Sequence, residues 1–491
     1  MSSSFGGLEL GKRALFAQRA ALNTTGNNIS NANTDGYTRQ RAEFQATREI
    51  PYPGMSNEAG PAQLGTGVEV NKITRLRDDF LDLQFRHQNQ DFGYYQARSD
   101  TYTKIEGLLN EPSDSGIANA MDQFWKGWEE LSKTPDSSAT RAVVAQRGVA
   151  LAETFQYTYD SLDQMSSDLN NVIQVDVSNI NSLTKQIGAL NDQISRLVPN
   201  NYQPNELYDK RDFLLDQLSK LVNIDVKPSN SGNGKVDVFI SNSTQPLVLG
   251  NTAKVVTYPG DPSGVNPYQI SIDDGPTPVA SPSNPITLGS GQLIGRIEAL
   301  TDIIPKLKTK LTDMVNEFVE NVNNIHSQGF NLDDINNPSN PTDKFNFFVD
   351  DPTDPSTSVK WIVNPNITAN PNKIAAAKTP HAGDGSNALA ITSLKTIVLT
   401  INGSSTTVND YYQNIIGQLG VDSQQALRMQ DNTQMLVNQV DNQRQSISGV
   451  SLDEEMTNMI RFQQAYNAAA RVVTVMDDML DKVINGMGST R

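Results

Sequence analysis

Near the end of the chain, Met459, Phe462, Tyr466, Ala469, Val473, Met476, Leu480, Val483 and Met487 follow one another at steps of three and four without a break. A run with that period folds as a helix with one apolar stripe, roughly 45 Å long at 1.5 Å per residue. The opposite face carries Arg461, Asn467, Arg471, Asp477, Asp478 and Lys482. Just upstream, Ser451 reads as an N-cap and Asp453, Glu454 and Glu455 as an acidic first turn, with Glu454 completing a capping box. A single long helix with a bare stripe is marginal in water, so this one requires a partner.

The other end of the chain offers one. From Phe5 to Ile29, Leu8, Leu15, Leu22 and Ile29 are spaced by seven, with Leu10, Ala14, Ala17 and Ala21 beside them. Sevenfold spacing flanked by small residues predicts a coiled-coil-like seam. A surface helix on a globular core is the plain alternative for this segment taken alone. Two terminal helices, each with one stripe, satisfy either each other or neighbouring copies. Asn27 to Gln40, "NNISNANTDGYTRQ", ends the first helix with turn chemistry: Asn and Asp bond their own nearby backbone, and Gly36 supplies a conformation in which a Cβ clashes.

Between the ends, helical and β-type zones alternate. A long helix is predicted from Arg141 to Val198, with Ile180, Leu183, Ile187, Leu190, Ile194 and Leu197 on one face. "VPNNYQP" breaks it, and "NELYDKRDFLLDQLSKLV" resumes as a shorter helix with Asp209 and Asp212 in its early turns. From Asn223 to Gly291, "KVDVFI", "PLVLG", "AKVVTY" and "YQISID" are short β-type runs between Gly, Pro, Asn and Ser clusters. Helix returns from Gln292 to His326, then an irregular Pro/Asn/Asp-rich stretch, then a last long helix from Val408 to Ile447. The expected fold class is α+β, mainly α: terminal helices pairing in an inner domain, a long-helix bundle, and a β-rich outer insertion, in a linear stack. The boundaries read as 1–50 with 449–491 for the inner domain and 51–222 with 292–330 and 400–448 for the bundle. The β-rich insertion occupies 223–291 and an irregular mixed segment 331–399. At 491 residues the chain is long enough for several domains.

Charge and composition narrow the function. Thirty-nine basic against 55 acidic residues give a net charge of −16, which repels nucleic acid. Cysteine is absent, which excludes disulfides, cysteine metal sites and cysteine nucleophiles. No apolar run approaches membrane-spanning length, and "MSSSFGGLELGKR" lacks the pattern of a secretory signal peptide. His87, His326 and His381 are scattered and match no zinc motif, so neither metal nor cofactor is expected. "GSGQLIG" (289–295) has the wrong spacing for a dinucleotide loop and reads as a boundary turn; "GNGK" (232–235) fails as a phosphate loop because Val follows. Trp125 and Trp128, at i and i+3, read as core anchors rather than an exposed ligand platform. No catalytic residues stand out.

The Asn-rich stretch resembles the N-terminal signature of the axial proteins of the bacterial flagellum, the rod, hook and hook-associated proteins. The signature falls on Asn28, Asn31, Asn33, Thr34, Gly36 and Tyr37. Four further segments are similar to the hook-associated branch of that family. They are "GTGVEVNKITRLRDDFLDLQFR" (65–86), "NELYDKRDFLLDQLSKLVNIDV", "NNIHSQGFNLDD" and the ending "GVSLDEEMTNMIRFQQAYNAAARVVTVMDDMLDKVING" (449–486).

The resemblance implies a non-enzymatic structural protein, secreted through the flagellar type III export channel without a cleaved signal. It further implies a homo-oligomeric ring at the hook–filament junction, touching hook protein on one side and hook-associated protein 3 on the other. An export chaperone on the C-terminal helix is implied as well. Tyr37 then offers its ring to a neighbouring copy or to the spacer beyond. The terminal-helix interface falls on Leu8, Leu15, Leu22, Ile29, Met459, Phe462, Tyr466, Ala469, Val473, Met476, Leu480 and Val483. Hook or distal rod protein is the alternative within the family, and a secreted flagellum-borne hydrolase the alternative outside it.

Overall fold

The computed structural model describes residues 4–51, 63–200, 202–241, 245–259, 270–273, 288–336, 344–351 and 361–486; Met487 of the C-terminal stripe lies outside them. The chain is mainly helical. Its helices are α1 (Ser4–Ser30), α2 (Asp79–Leu109), α3 (Ile117–Lys133), α4 (Ser138–Leu197), α5 (Asn205–Leu221), α6 (Gln292–Glu298), α7 (Ile304–His326), α8 (Leu332–Asn336), α9 (Pro365–Ala369), α10 (Ser386–Ser393), α11 (Val408–Ser448) and α12 (Leu452–Gly486).

Two apolar cores organise the middle of the chain, and α4 threads both. Val144, Leu151, Phe155 and Leu162 of α4 enter the first core, with Trp125 and Trp128 of α3 and Phe318 of α7. Ile173, Ile180 and Ile187 of the same helix enter the second, with Leu215 and Leu218 of α5 and Leu293 of α6. The two tryptophans are buried anchors, ringed by Phe124, Phe318 and Phe347 at centroid distances of 5.3 to 6.1 Å. Such edge-on ring packing adds to area burial and fixes orientation. A single turn of π-helix, Ala299–Ile303, joins α6 to α7 between the cores.

The β-type runs form small antiparallel sheets. The largest has four strands, Ile224–Pro228, Val236–Ile240, Pro246–Leu249 and Thr252–Ala253, with Val226 opposite Val238 and Val238 opposite Val248. Val238, Ile240 and Val248 lie in the second core together with α4 and α5, so these strands share their core with helices. The segment expected to be irregular likewise contributes to the first core, through Phe347, Phe348, Val363, Ile367 and Ile391. Its strands are short because Asn and Pro interrupt them, yet its apolar residues need the same burial as any others. At the boundary turn, Gly291 has φ +107° and precedes α6. A Cβ there meets the Leu221 carbonyl oxygen at 2.6 Å, so only glycine permits this approach.

The paired chain ends as a candidate assembly site

Helices α1 and α12 pack against each other antiparallel. Gly7 faces Met476, Gly11 faces Val473, and Asn28 at the far end meets Glu455. The C-terminal stripe lies along this seam: Ala469 is buried, Met459, Phe462, Tyr466, Val473, Met476 and Leu480 are half-buried, and Val483 is exposed. On α1 the fully buried line is Gly11, Ala17, Ala21, Thr24, Thr25 and Asn28. Leu8, Leu15, Leu22 and Ile29, expected at the centre of the seam, are half-buried on its flank. The reason is steric. A Cβ on Gly7 or Gly11 comes within 2.6 or 2.7 Å of the facing side chain, so small residues hold the closest approach and leucines flank it.

An antiparallel hairpin covers one side of α1. Its strands, Gln40–Ala46 and Val68–Arg75, pair Gln40 with Arg75 and Ala46 with Val68 across a bulge at Glu43/Phe44. The bulge is followed by Phe44, whose ring lies 5.9 Å from that of Phe462.

The Asn-rich stretch is the clasp that closes the pair. Asn28, 1% exposed, donates to the Gln40 carbonyl (2.8 Å) and the Glu455 carboxylate (3.0 Å). Its own oxygen accepts from the Tyr37 hydroxyl (2.8 Å) and the Gln40 amide (3.0 Å). Arg39 then reaches the start of α12, meeting Glu455 at 2.8 Å and Glu454 at 2.7 Å, while its amide donates to the Ser448 carbonyl. Burial, reinforced by Asp209, Glu206 and Glu455 nearby, pushes the Tyr37 hydroxyl up to about 12, so it remains a donor. Asn31 bonds back to Asn27 and Thr34 to Asn31, which terminates α1. Asn33 and Thr34 are exposed, and Gly36 takes φ +78° against Phe213. Within the chain, the half-buried Tyr37 uses its hydroxyl to hold Asn28.

Beneath the clasp lies a closed ring of alternating charges. Arg77 contacts Asp82, which meets Arg444 at 2.9 Å; Arg444 meets Asp216 at 2.7 Å, and Asp216 meets Arg86 at 2.8 Å. Arg86 and Arg77 both face Asp212, at 3.6 and 3.7 Å. Arg75 ties the ring to the clasp through Asp212 (2.8 Å) and Asp209 (2.9 Å), and Asp209 accepts from the Thr38 amide. Burial opposes ionisation of Asp212, but Arg77, Arg75 and Arg86 outweigh it and hold the carboxyl below its ordinary range. The early-turn Asp209 and Asp212 of α5 therefore act as ion-pair partners. Arg39, Glu455, Arg444 and the ring escape a reading of the sequence, because their partners lie 100 or more positions away along the chain in most cases.

Two outward features remain on the pair. Val472, Val475, Met479 and Val483 form a second apolar line on α12 and are 38 to 53% exposed. A groove of about 310 Å³ runs between the helices, lined by Leu8, Leu15, Phe16, Tyr466 and Val473, with Lys12 and Arg19 on its rim. Among the described residues no cluster of His, Asp or Glu fits a metal ion, and no helix is long and apolar enough to cross a membrane.

Comparison with known proteins agrees with this geometry. The model of the flagellar hook-associated protein FlgK helical domain matches residues 102–340. Rod-protein models match the two ends, the flagella basal body rod protein at 8–38 and the flagellar basal body rod FlgEFG protein C-terminal family at 441–486. Flagellar hook-associated protein 1 of Bacillus subtilis is 39% identical, with 99% of each chain covered, and that of Escherichia coli 27% identical over 96% of this chain and 98% of its own. The solved structure of the flagellar hook junction protein FlgK from Burkholderia pseudomallei has a TM-score of 0.61 at 16% identity, covering 76% of this chain and all of that one, and shares the fold. A relative this similar over its whole length places the chain in the flagellar hook-associated protein 1 family, structural components of the bacterial flagellum.

Proposed function

We propose that the protein is a non-enzymatic joint between hook and filament, secreted through the type III channel and assembled as a ring through its terminal helices. Hook protein and hook-associated protein 3 are its neighbours along the axis, and an export chaperone holds α12 beforehand. The unit of ring contact is the terminal pair, 1–50 with 449–491. The bundle (51–222, 292–330 and 400–448), the inserted strands (223–291) and the segment 331–399 stand outside it.

The observation that carries this reading is the second apolar line of α12. Helix α1 covers one side of α12 and leaves Val472, Val475, Met479 and Val483 in water. Exposed apolar residues in a row on a helix mark a contact surface. The neighbouring groove, with a basic rim, suits an acidic helix such as the end of α12 in another copy, where Asp477, Asp478 and Asp481 lie. Antibody labelling of intact flagella tests the location: label confined to the boundary between hook and filament is expected, and label along the hook or rod selects the alternative reading that the rod-type ends keep open.

A further inference from the structure

In the first half of α12, Leu452, Met456 and Ile460 recur at every fourth residue and are 49, 52 and 61% exposed. This third apolar line belongs to neither core, and α1 leaves it in water. At 3.6 residues per turn it lies about 160° round α12 from the line of Val472, Val475 and Met479. No single partner helix covers both. Each copy therefore meets one neighbour with the first face and another with the second, which is a head-to-tail contact rather than a two-fold one.

The two lines match residue for residue. Parallel α12 helices offset by about 19 positions, or about 29 Å, bring Leu452 onto Val472, Met456 onto Val475 and Ile460 onto Met479. The same offset sets Asp453 within one turn of Arg471 on the same edge of the contact. Both are exposed, and neither has an ion-pair partner among the described residues. In an antiparallel pairing the two charges part. The seam with α1 lies about 120° from one line and about 80° from the other, so parallel copies keep every α1 on one side of the row, clear of the contact. We infer that neighbouring copies join α12 to α12, the Leu452, Met456 and Ile460 face of one against the Val472, Val475 and Met479 face of the next. The inference rests on assembly through the terminal pair and adds which face meets which. Copies joined this way stand at stepped heights along the helix direction.

Because the chain has no cysteine, introduced pairs report the contact without background. The full-length chain with Met456→Cys and Val475→Cys, expressed as the sole copy, carries one thiol on each face. Mild oxidation of isolated flagella is expected to give a ladder of covalent multimers of this chain, and each single variant to give monomer only. Leu452→Cys with Val472→Cys is a second matched pair with the same expectation, and serves should the first not assemble. Leu452→Cys with Met479→Cys uses the same faces about 10 Å out of register, beyond disulfide reach, and is expected to yield about tenfold less ladder. Flagella that contain the protein at the joint, bear filaments and stay monomeric on oxidation overturn the pairing and leave the proposed function standing. A ladder as strong in the mismatched pair does the same. Flagella that bear filaments with no copy of the chain at the joint overturn the proposed function and the pairing with it.

Discussion

Gly11 lies so close to Val473 that a Cβ on the glycine comes 2.7 Å from the valine Cγ2. The terminal pair therefore closes on backbone rather than on large side chains, and it has little room to adapt. Gly11→Leu forces the helices apart at a cost of about 1–3 kcal/mol, the usual range for overpacking. Limited proteolysis is expected to cut α1 and α12 faster in this variant, while the melting of the bundle stays at the parental temperature.

Asn28 makes four hydrogen bonds to three residues, Tyr37, Gln40 and Glu455, so truncating it leaves several buried groups short at once. Asn28→Ala is expected to cost about 1–3 kcal/mol for each group left unsatisfied. Asn28→Asp is worse, since it sets a second carboxylate against Glu455, where the amide now donates at 3.0 Å. Hydrogen exchange of the Thr38, Arg39 and Gln40 amides reports the opening directly.

His326 provides a pH dependence in the first core. Its Nδ1 donates to the Phe345 carbonyl and its Nε2 accepts from the Ala375 amide, so the ring is neutral. Burial, with Arg141 nearby, brings it down to about 4 against an ordinary 6.5. The folded value is the lower one, so the unfolded chain takes up the proton first. The contribution is complete above pH 6.5 and fades as pH falls toward 4, by about 3 kcal/mol over the window. Thermal unfolding from pH 7 to 4 is expected to show this loss, and His326→Gln to flatten it by one proton.

Helix existence and the apolar stripes are legible in the sequence because period alone encodes them: Met459 to Leu480 lie where their spacing puts them. The seam on α1 is harder to read, because seven-spaced leucines give a stronger pattern than Gly7, Gly11 and Ala21, whose role is close approach. Closure of the clasp depends on Arg39 and Glu455, and closure of the ring on Arg444 and Asp216; these are pairings across the whole chain that no local pattern records. The segment 331–399 reads as irregular because its apolar residues come in short runs, and only the folded chain brings Phe347 and Ile391 to one core.

Val473→Asp and Leu480→Asp place a carboxylate in the seam, where an unpaired buried charge costs several kcal/mol. Loss of flagellar assembly and of chaperone binding is expected, with the helical signal of the bundle retained. Normal motility in either strain removes the stripe from the assembly pathway.

The most direct test separates the outward face of α12 from its inward one. Val475→Asp with Met479→Asp alters only exposed residues, so the purified full-length chain is expected to melt as the parent does. Cells carrying it as their sole copy are expected to build hooks that bear no filaments, counted by electron microscopy. Filaments attached at parental frequency, with the variant present in the flagella, would contradict assembly through this face.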